Sequence, residues 1–141
     1  MVRPRTLLEL CMAISCVVRA IWGIHALEWL HGDIRWDNIV KVGDYWYVID
    51  CYRACRVGSQ RALDLGRDAA TRGIFLGVRH YGKADDRNQV LALLQFAPAD
   101  ISSQFDAVRA AITNAHTVEQ IITQINIIRD NNINNDVQIA L

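Results

Sequence analysis

The strongest constraint on the fold is an apolar pattern with helical spacing that runs from Thr6 to Leu30. Thr6 is a suitable N-cap, and Glu9 at the third position after it completes the pattern of a capping box. Glu9 and Arg19 interrupt and close the apolar run over 7–18, which makes it a poor secretory signal and too short to cross a membrane. We therefore predict one long buried helix. Its apolar face comprises Leu7, Leu10, Ile14, Val17, Ile21, Ile24 and Leu27.

Length and composition favour a single domain over residues 1–141. The 15 basic residues balance the 15 acidic ones and form no run, so neither nucleic acid nor a membrane is an expected partner. The cysteines lack the spacing of a zinc site, and we expect reduced thiols in a cytoplasmic protein. They are Cys11, Cys16, Cys51 and Cys55.

The segment after the helix combines polar groups with a predicted β-hairpin. His31-Gly32-Asp33-Ile34-Arg35-Trp36-Asp37-Asn38 is followed by two β-branched and aromatic runs, 39–42 and 46–49, with Gly43-Asp44 between them. Asp50 comes directly after the second run. Amide and carboxylate oxygens suit Mg²⁺, and a carboxylate can orient a hydroxyl. We therefore expect Asp33, Asn38 and Asp50 to face one site.

This order of helix, loop, hairpin and Asp resembles the catalytic loop and metal-binding Asp of the protein-kinase superfamily, over about Ala26 to Ala54. The His-Gly-Asp form is similar to small-molecule kinases and to the kinase-like C-terminal domains of crinkler-type effectors. The resemblance implies that Asp33 accepts the proton of a substrate hydroxyl and that Arg35 contacts the transferred phosphate. It also implies that Asn38 and Asp50 hold Mg²⁺ on ATP.

The implied fold class is mainly α with a small β-hairpin, like the C-terminal lobe of a kinase-like α+β fold. Asp50-Cys51-Tyr52 lacks the glycine of the family's Asp-Phe-Gly. Only one predicted helix precedes His31, which leaves no room there for a glycine-rich loop and its phosphate-pairing lysine. The chain therefore resembles a truncated form without the N-terminal lobe, and weak or absent phosphotransfer by the isolated chain is expected.

The identity of the acceptor and the activity itself remain open at this point. Arg35 favours a protein Ser/Thr hydroxyl as acceptor, whereas Gly32 favours a small molecule. An alternative is a non-catalytic, pseudokinase-like module that binds a protein partner. A further alternative is a purely structural helical domain in which the motif is coincidental, and there substitution of Asp33 and Asp50 would change stability only.

The remainder of the chain is predicted to be helical and to supply core. Asp68 to Gly73 resembles the opening of the next large helix of the kinase family, and the Asp85-Asp86-Arg87 run is expected to be a solvated face. The isoleucines between 121 and 128 form either core or an exposed partner face, and the four tryptophans are expected to pack core and loops. The predicted helices are Ala62 to Leu76, Asp85 to Phe96, Asp100 or Ser102 to Thr113, and Val118 to Ile128.

Overall fold

The computed structural model of the protein describes residues 2–58 and 81–141. In these ranges the chain is mainly helical and carries two small antiparallel sheets, each of two strands. The helices are α1 (Leu7–Ala26), α2 (Lys83–Ala92), α3 (Ala99–Ser102), α4 (Asp106–Thr113) and α5 (Val118–Asn132). The strands are β1 (Trp29–Leu30), β2 (Ile39–Val42), β3 (Tyr45–Val48) and β4 (Cys55–Arg56). The predicted helix over 62–76 and the match at 68–73 lie outside the described residues.

Helix α1 forms the centre of the core, as its sequence pattern predicts, but Leu27 of the predicted apolar face lies beyond the helix and is 74% exposed. The Thr6 hydroxyl accepts the backbone N–H of Glu9 at 3.2 Å, while the Glu9 carboxylate accepts the N–H of Arg5 rather than that of Thr6. By length and composition α1 could span a membrane, but 50% of its most apolar stretch is buried inside the domain. Its apolar side packs against α5 and β3, which is the arrangement of a core helix in a folded domain.

The prediction that the first helix continues to Leu30 is wrong. The helix ends at Ala26 because the N–H of Glu28 returns to the His25 carbonyl at 3.0 Å, and Glu28 adopts a left-handed φ of 62°. Strand β1 then pairs antiparallel with β4, with Trp29 opposite Arg56. This pairing joins segments far apart in sequence, so a local apolar period does not reveal it.

The predicted hairpin is confirmed, with its second strand beginning one residue earlier than expected, at Tyr45. Ile39 lies opposite Val48, and Gly43 takes a φ of 61° in the turn. The inner face of the hairpin carries Ile39 and Trp46, both buried against the core. The side chains of Val42, Tyr45 and Tyr47 remain exposed on the outer face.

Two of the four tryptophans, Trp36 and Trp46, are buried and pack edge to face with ring centroids 6.2 Å apart, as predicted. Trp22 is half-buried, and its indole N–H donates to the carbonyl of His116 at 2.9 Å. Trp29 departs from the expectation because 41% of its surface is exposed. Trp36 and Trp46 therefore pack in the core, whereas Trp22 and Trp29 lie nearer the surface.

The C-terminal helices differ from their predicted boundaries but supply the expected core. Helix α2 covers 83–92 rather than 85–96, and the helix expected up to residue 113 is divided into α3, a single 3-10 turn and α4. Helix α5 continues to Asn132. Ile121, Ile125 and Ile128 are buried, and α5 packs along α1, so this stripe is core and not an exposed partner face.

The C-terminal tail, residues 136–141, closes the fold by pairing with segments at the start and in the middle of the chain. The Leu7 N–H donates to the Val137 carbonyl and the Ile139 N–H to the Arg5 carbonyl, each at 2.9 Å. Ala140 and Ala97 exchange both backbone hydrogen bonds, at 2.9 and 3.0 Å. The residues just before α1 are thereby held in a defined position.

Candidate active-site loop

His31 connects the polar loop to the exit of the hairpin. The ring is 2% exposed, and its Nδ1 accepts the backbone N–H of Asp33 at 3.1 Å. Its Nε2 lies 2.9 Å from the carbonyl oxygen of Ile49. Because Nδ1 accepts a hydrogen bond, the ring proton must be on Nε2, which then donates to Ile49. His31 is therefore a buried residue that joins the loop to the end of the hairpin.

Asn38 and Asp33 contact each other, which is one part of the prediction that Asp33, Asn38 and Asp50 face one site. The Asn38 amide N–H₂ donates to the Asp33 carbonyl at 2.8 Å and to the Asp33 carboxylate at 2.9 Å. The Asn38 carbonyl accepts the N–H of Ile49 at 2.8 Å, so the same residue also contacts the end of the hairpin. Within the described ranges nothing donates a hydrogen bond to Asn38 Oδ1, which leaves this oxygen available to a ligand.

Asp33 and Arg35 form an ion pair at the mouth of the loop. The Arg35 Nε lies 3.3 Å from Asp33 Oδ1, and the second carboxylate oxygen of Asp33 is the one that Asn38 contacts. The Arg35 side chain is 60% exposed and that of Asp33 is 26% exposed. Both groups can therefore meet a molecule that approaches from solvent.

Asp50 follows Ile49 directly and is exposed. Its backbone is left-handed, with φ 63° and ψ 75°, a conformation that a residue with a side chain rarely adopts. Its Oδ1 accepts the N–H of Tyr52 at 3.3 Å and caps the turn Cys51–Arg53. Asp50 thus has the turn-capping contact of a structural residue, while its carboxylate remains accessible to a cation.

The loop is anchored by Asp86, which sequence reasoning missed. Its carboxylate is fully buried and accepts the backbone N–H groups of His31 at 2.8 Å and Gly32 at 2.9 Å. It also accepts hydrogen bonds from His25 Nε2 and from the Tyr81 hydroxyl. One carboxylate therefore joins the end of α1, the loop and the start of α2.

The expectation of a solvated face at 85–87 is wrong for both carboxylates. Asp85 is buried and accepts the N–H of Gly82, which precedes α2, at 2.7 Å, and Asp86 faces the loop. Carboxylates in the first turn of a helix are favoured by the helix dipole, so the Asp pair does mark a helix start. The loop N–H groups that donate to Asp86, however, lie more than fifty positions earlier in the chain.

The ionised form of Asp86 is the form that the loop requires. Burial by itself would raise the pKa of this carboxyl group, but the hydrogen bonds from His25, Tyr81 and the two loop N–H groups outweigh burial and lower the pKa below its ordinary value of 3.8. Asp86 is therefore an anion at neutral pH, and an anion is the strongest acceptor for these donors.

Gly32 and Gln89 complete the support of the loop. Gly32 has a φ of 87°, which disfavours any residue with a side chain. The Gln89 side chain accepts the N–H of Ile34 at 2.7 Å and donates to the Gly32 carbonyl at 3.3 Å. Helix α2 therefore fixes the loop through two side chains one helical turn apart, Asp86 and Gln89.

The structure defines a mainly helical domain in which a short sheet and a buried carboxylate hold one polar loop. A stretch of 50 residues, 34% of this chain, is 40% identical to Crinkler effector protein 8 of Phytophthora infestans and covers 8% of that protein. No family model and no solved structure matches the chain. The similarity to a crinkler effector is therefore partial, and the kinase likeness stays a proposal.

Proposed function

We propose that the loop from His31 to Asn38 is the catalytic loop of a kinase-like phosphotransferase. The observation that carries the proposal is the contact between Asp33 and Asn38, together with two hydrogen bonds at Ile49, the neighbour of Asp50. The Ile49 N–H donates to the Asn38 carbonyl, and the Ile49 carbonyl accepts the Nε2–H of His31. This arrangement supports a site in which a base and two oxygen ligands come from one loop and one strand end. The partial similarity to a crinkler effector is compatible with the resemblance.

In the proposed reaction, the terminal phosphoryl group of ATP passes to a Ser or Thr hydroxyl and ADP leaves. Asp33 orients the hydroxyl and takes its proton, and Arg35 offsets charge on the transferred group. Asn38 Oδ1 and the Asp50 carboxylate would hold Mg²⁺, which neutralises charge on the phosphates when bound. Amide and carboxylate oxygens are suitable ligands for this hard cation.

The outer face of the hairpin gives the nucleotide base an apolar surface beside these residues. Ile49 is 41% exposed and Tyr47 is 51% exposed, both close in sequence to Asp50. Apolar and aromatic groups with a few polar ones beside them are typical of small-molecule sites.

The proposal is tested by calorimetric titration of ATP, with and without Mg²⁺, into the wild-type chain and the Asp50→Asn variant. Binding that depends on Mg²⁺ and weakens on the order of tenfold or more in Asp50→Asn supports it, since one charged ligand is lost. Asp44→Asn is the matched control because Asp44 is exposed in the turn at the other end of β3. Absence of binding at millimolar ATP, or equal loss in both variants, would contradict the proposal.

A second function, a non-catalytic module that binds a protein, is favoured by the exposed aromatic groups of β3 and of the turn that follows Asp50. Tyr52 is 92% exposed, and Tyr45 and Tyr47 are more than half exposed. Aromatic residues are enriched at protein interfaces. In that case Tyr47→Ala and Tyr52→Ala together would abolish capture of a partner, whereas Asp50→Asn would have no effect on it.

A further inference from the structure

Three arginines lie along one surface beside the proposed base. Arg3, Arg5 and Arg35 line two hollows that share Arg3, and we call this surface the arginine strip. The hollow between Arg3 and Arg35 has a volume of about 190 Å³, and Trp36 and Gln89 form part of its lining. The hollow between Arg3 and Arg5 has a volume of about 380 Å³.

The geometry of the strip already accommodates one carboxylate. The side chain of Asp37 lies between two arginines, with Arg3 Nη2 at 3.8 Å and Arg35 Nη1 at 3.9 Å. These are long contacts between side chains that are all more than 40% exposed, and such pairs contribute little to stability. A carboxylate or phosphate from another molecule can therefore replace Asp37 at small cost.

Two of the carboxylates near the strip already have partners within the protein. Asp33 is occupied by Asn38 and Arg35, and the Glu9 carboxylate accepts the backbone N–H of Arg5. The Arg5 guanidinium forms no ion pair with any described residue. Guanidinium groups offer several donors in a planar fork that matches carboxylate and phosphate. The guanidinium groups of Arg3 and Arg5 therefore offer donors to an anion that displaces Asp37.

The backbone that carries the strip is held in place before any ligand arrives. Pro4, between the first two arginines, is buried, and the carbonyl of Arg5 accepts the N–H of Ile139 in the C-terminal tail at 2.9 Å. Arg35 belongs to the loop that Asp86 and Gln89 anchor. A site that needs little ordering on binding loses less affinity to conformational entropy.

We propose that the arginine strip recognises an anionic peptide segment, carrying carboxylates or a phosphate, next to the hydroxyl that Asp33 orients. The inference rests on the proposed function, and it names the acceptor: a Ser or Thr in an acidic stretch of protein. Arg3 lines one hollow with Arg35, and the Arg35 Nε lies 3.3 Å from Asp33 Oδ1, so an anion held by Arg3 and Arg5 places neighbouring residues of the peptide within reach of the base.

The test is binding of labelled peptides, measured by fluorescence anisotropy at low salt. Each peptide has one Ser flanked by Glu, by Gln, by Lys or by phosphoserine. We expect the Glu peptide to bind about fivefold or more tighter than the Gln peptide, and the doubly substituted Arg3→Glu, Arg5→Glu variant to weaken it on the order of tenfold. Stronger binding of the phosphoserine peptide, with competition by inorganic phosphate, identifies phosphate as the preferred anion.

Arg19→Glu is the matched control because Arg19 is exposed on α1 and lines a separate groove with Ile125 and Arg129. An equal effect of this control, equal binding of the Glu and Lys peptides, or tighter binding of a single-stranded oligonucleotide would overturn the inference. Mg²⁺-dependent ATP binding without a preference for the Glu peptide would contradict the inference and leave the proposed function intact. Acidic preference without ATP binding would support the strip and contradict phosphotransfer.

Discussion

At the scale of single residues, the site consists of contacts between residues close in sequence, such as Asp33 and Asn38. The Asp86 carboxylate, from much later in the chain, holds these residues in place. Asp33 and Asn38 could be predicted as neighbours because five positions of a tight loop separate them. Asp86 could not, because its donors come from α1, the loop and the segment before α2. A local pattern of two acidic residues is the same whether the carboxylates face water or a buried set of N–H groups.

We expect Asp86→Asn to lower the free energy of unfolding by about 3 kcal/mol, since the buried donors lose a charged acceptor. The pKa of Asp86 is lowered in the folded protein from an ordinary 3.8. Its contribution to stability is therefore complete above about pH 4 and is lost as the pH falls toward the lowered value. Urea unfolding between about pH 7 and about pH 3 should show a shallower acid loss in the variant.

The matched control for this prediction is Asp44→Asn, an exposed carboxylate in the hairpin turn. It should leave both the urea midpoint and the acid limb near those of the wild type. An Asp86→Asn protein as stable as the control at neutral pH would show that the hydrogen bonds to Asp86 contribute little. The anchoring of the loop would then have to come from Gln89 and His31.

Alanine substitutions at Gly32 and Gly43 compare a strained position in the loop with an ordinary hairpin turn. Gly32→Ala should cost about 1–3 kcal/mol because φ is 87° and the backbone is held on both sides by Asp86 and Gln89. Gly43→Ala should cost about 1 kcal/mol or less, since φ is 61° and the added Cβ meets nothing within 4 Å. Thermal or urea unfolding of the two variants compares them directly, and an equal cost would contradict the argument.

At the scale of elements, helix starts could be predicted better than helix ends. Thr6 and Thr117 both cap the helices that follow them, as side chains of their type do. The division between α3 and α4 could not be predicted from local spacing, and the Arg109 guanidinium makes longer-range contacts beside it. That group donates to the carbonyls of Ser102 at 2.9 Å and Leu94 at 2.7 Å. The Ser102 carbonyl, at the end of α3, therefore accepts a hydrogen bond from a side chain.

Arg109→Ala should therefore lower the free energy of unfolding by about 2 kcal/mol, because two carbonyls lose a charged donor. Arg109→Lys should recover only part of this loss, since an ammonium group cannot reproduce the fork that reaches both carbonyls. Urea unfolding followed by circular dichroism measures both variants, with Arg19→Ala as the control for loss of an exposed arginine. A fully restored Lys variant would mean that charge alone, rather than the fork geometry, holds this junction.

At the scale of the whole molecule, the loop is held by helices that also build the core. Helix α1 packs on α5 and β3, and α2 holds the loop, so the proposed site depends on segments from both described ranges. The apolar periods of α1 and α5 allowed the core to be predicted. The paired ends of the chain could not be predicted, because residues 136–141 have no strong strand pattern and are positioned by partners at Arg5, Leu7 and Ala97.

Removal of residues 136–141 tests this closure. We expect the free energy of unfolding to fall by about 3 kcal/mol or more, from lost backbone hydrogen bonds at Arg5, Leu7 and Ala97 and lost packing of the tail's partly buried apolar residues. Gln138→Ala is the control, since that side chain is exposed while its backbone pairing is kept. The truncated chain should also bind the Glu peptide more weakly, because Arg5 loses its backbone tether. A truncated chain with an unchanged urea midpoint and unchanged peptide affinity would mean that the tail neither stabilises the fold nor positions the arginine strip.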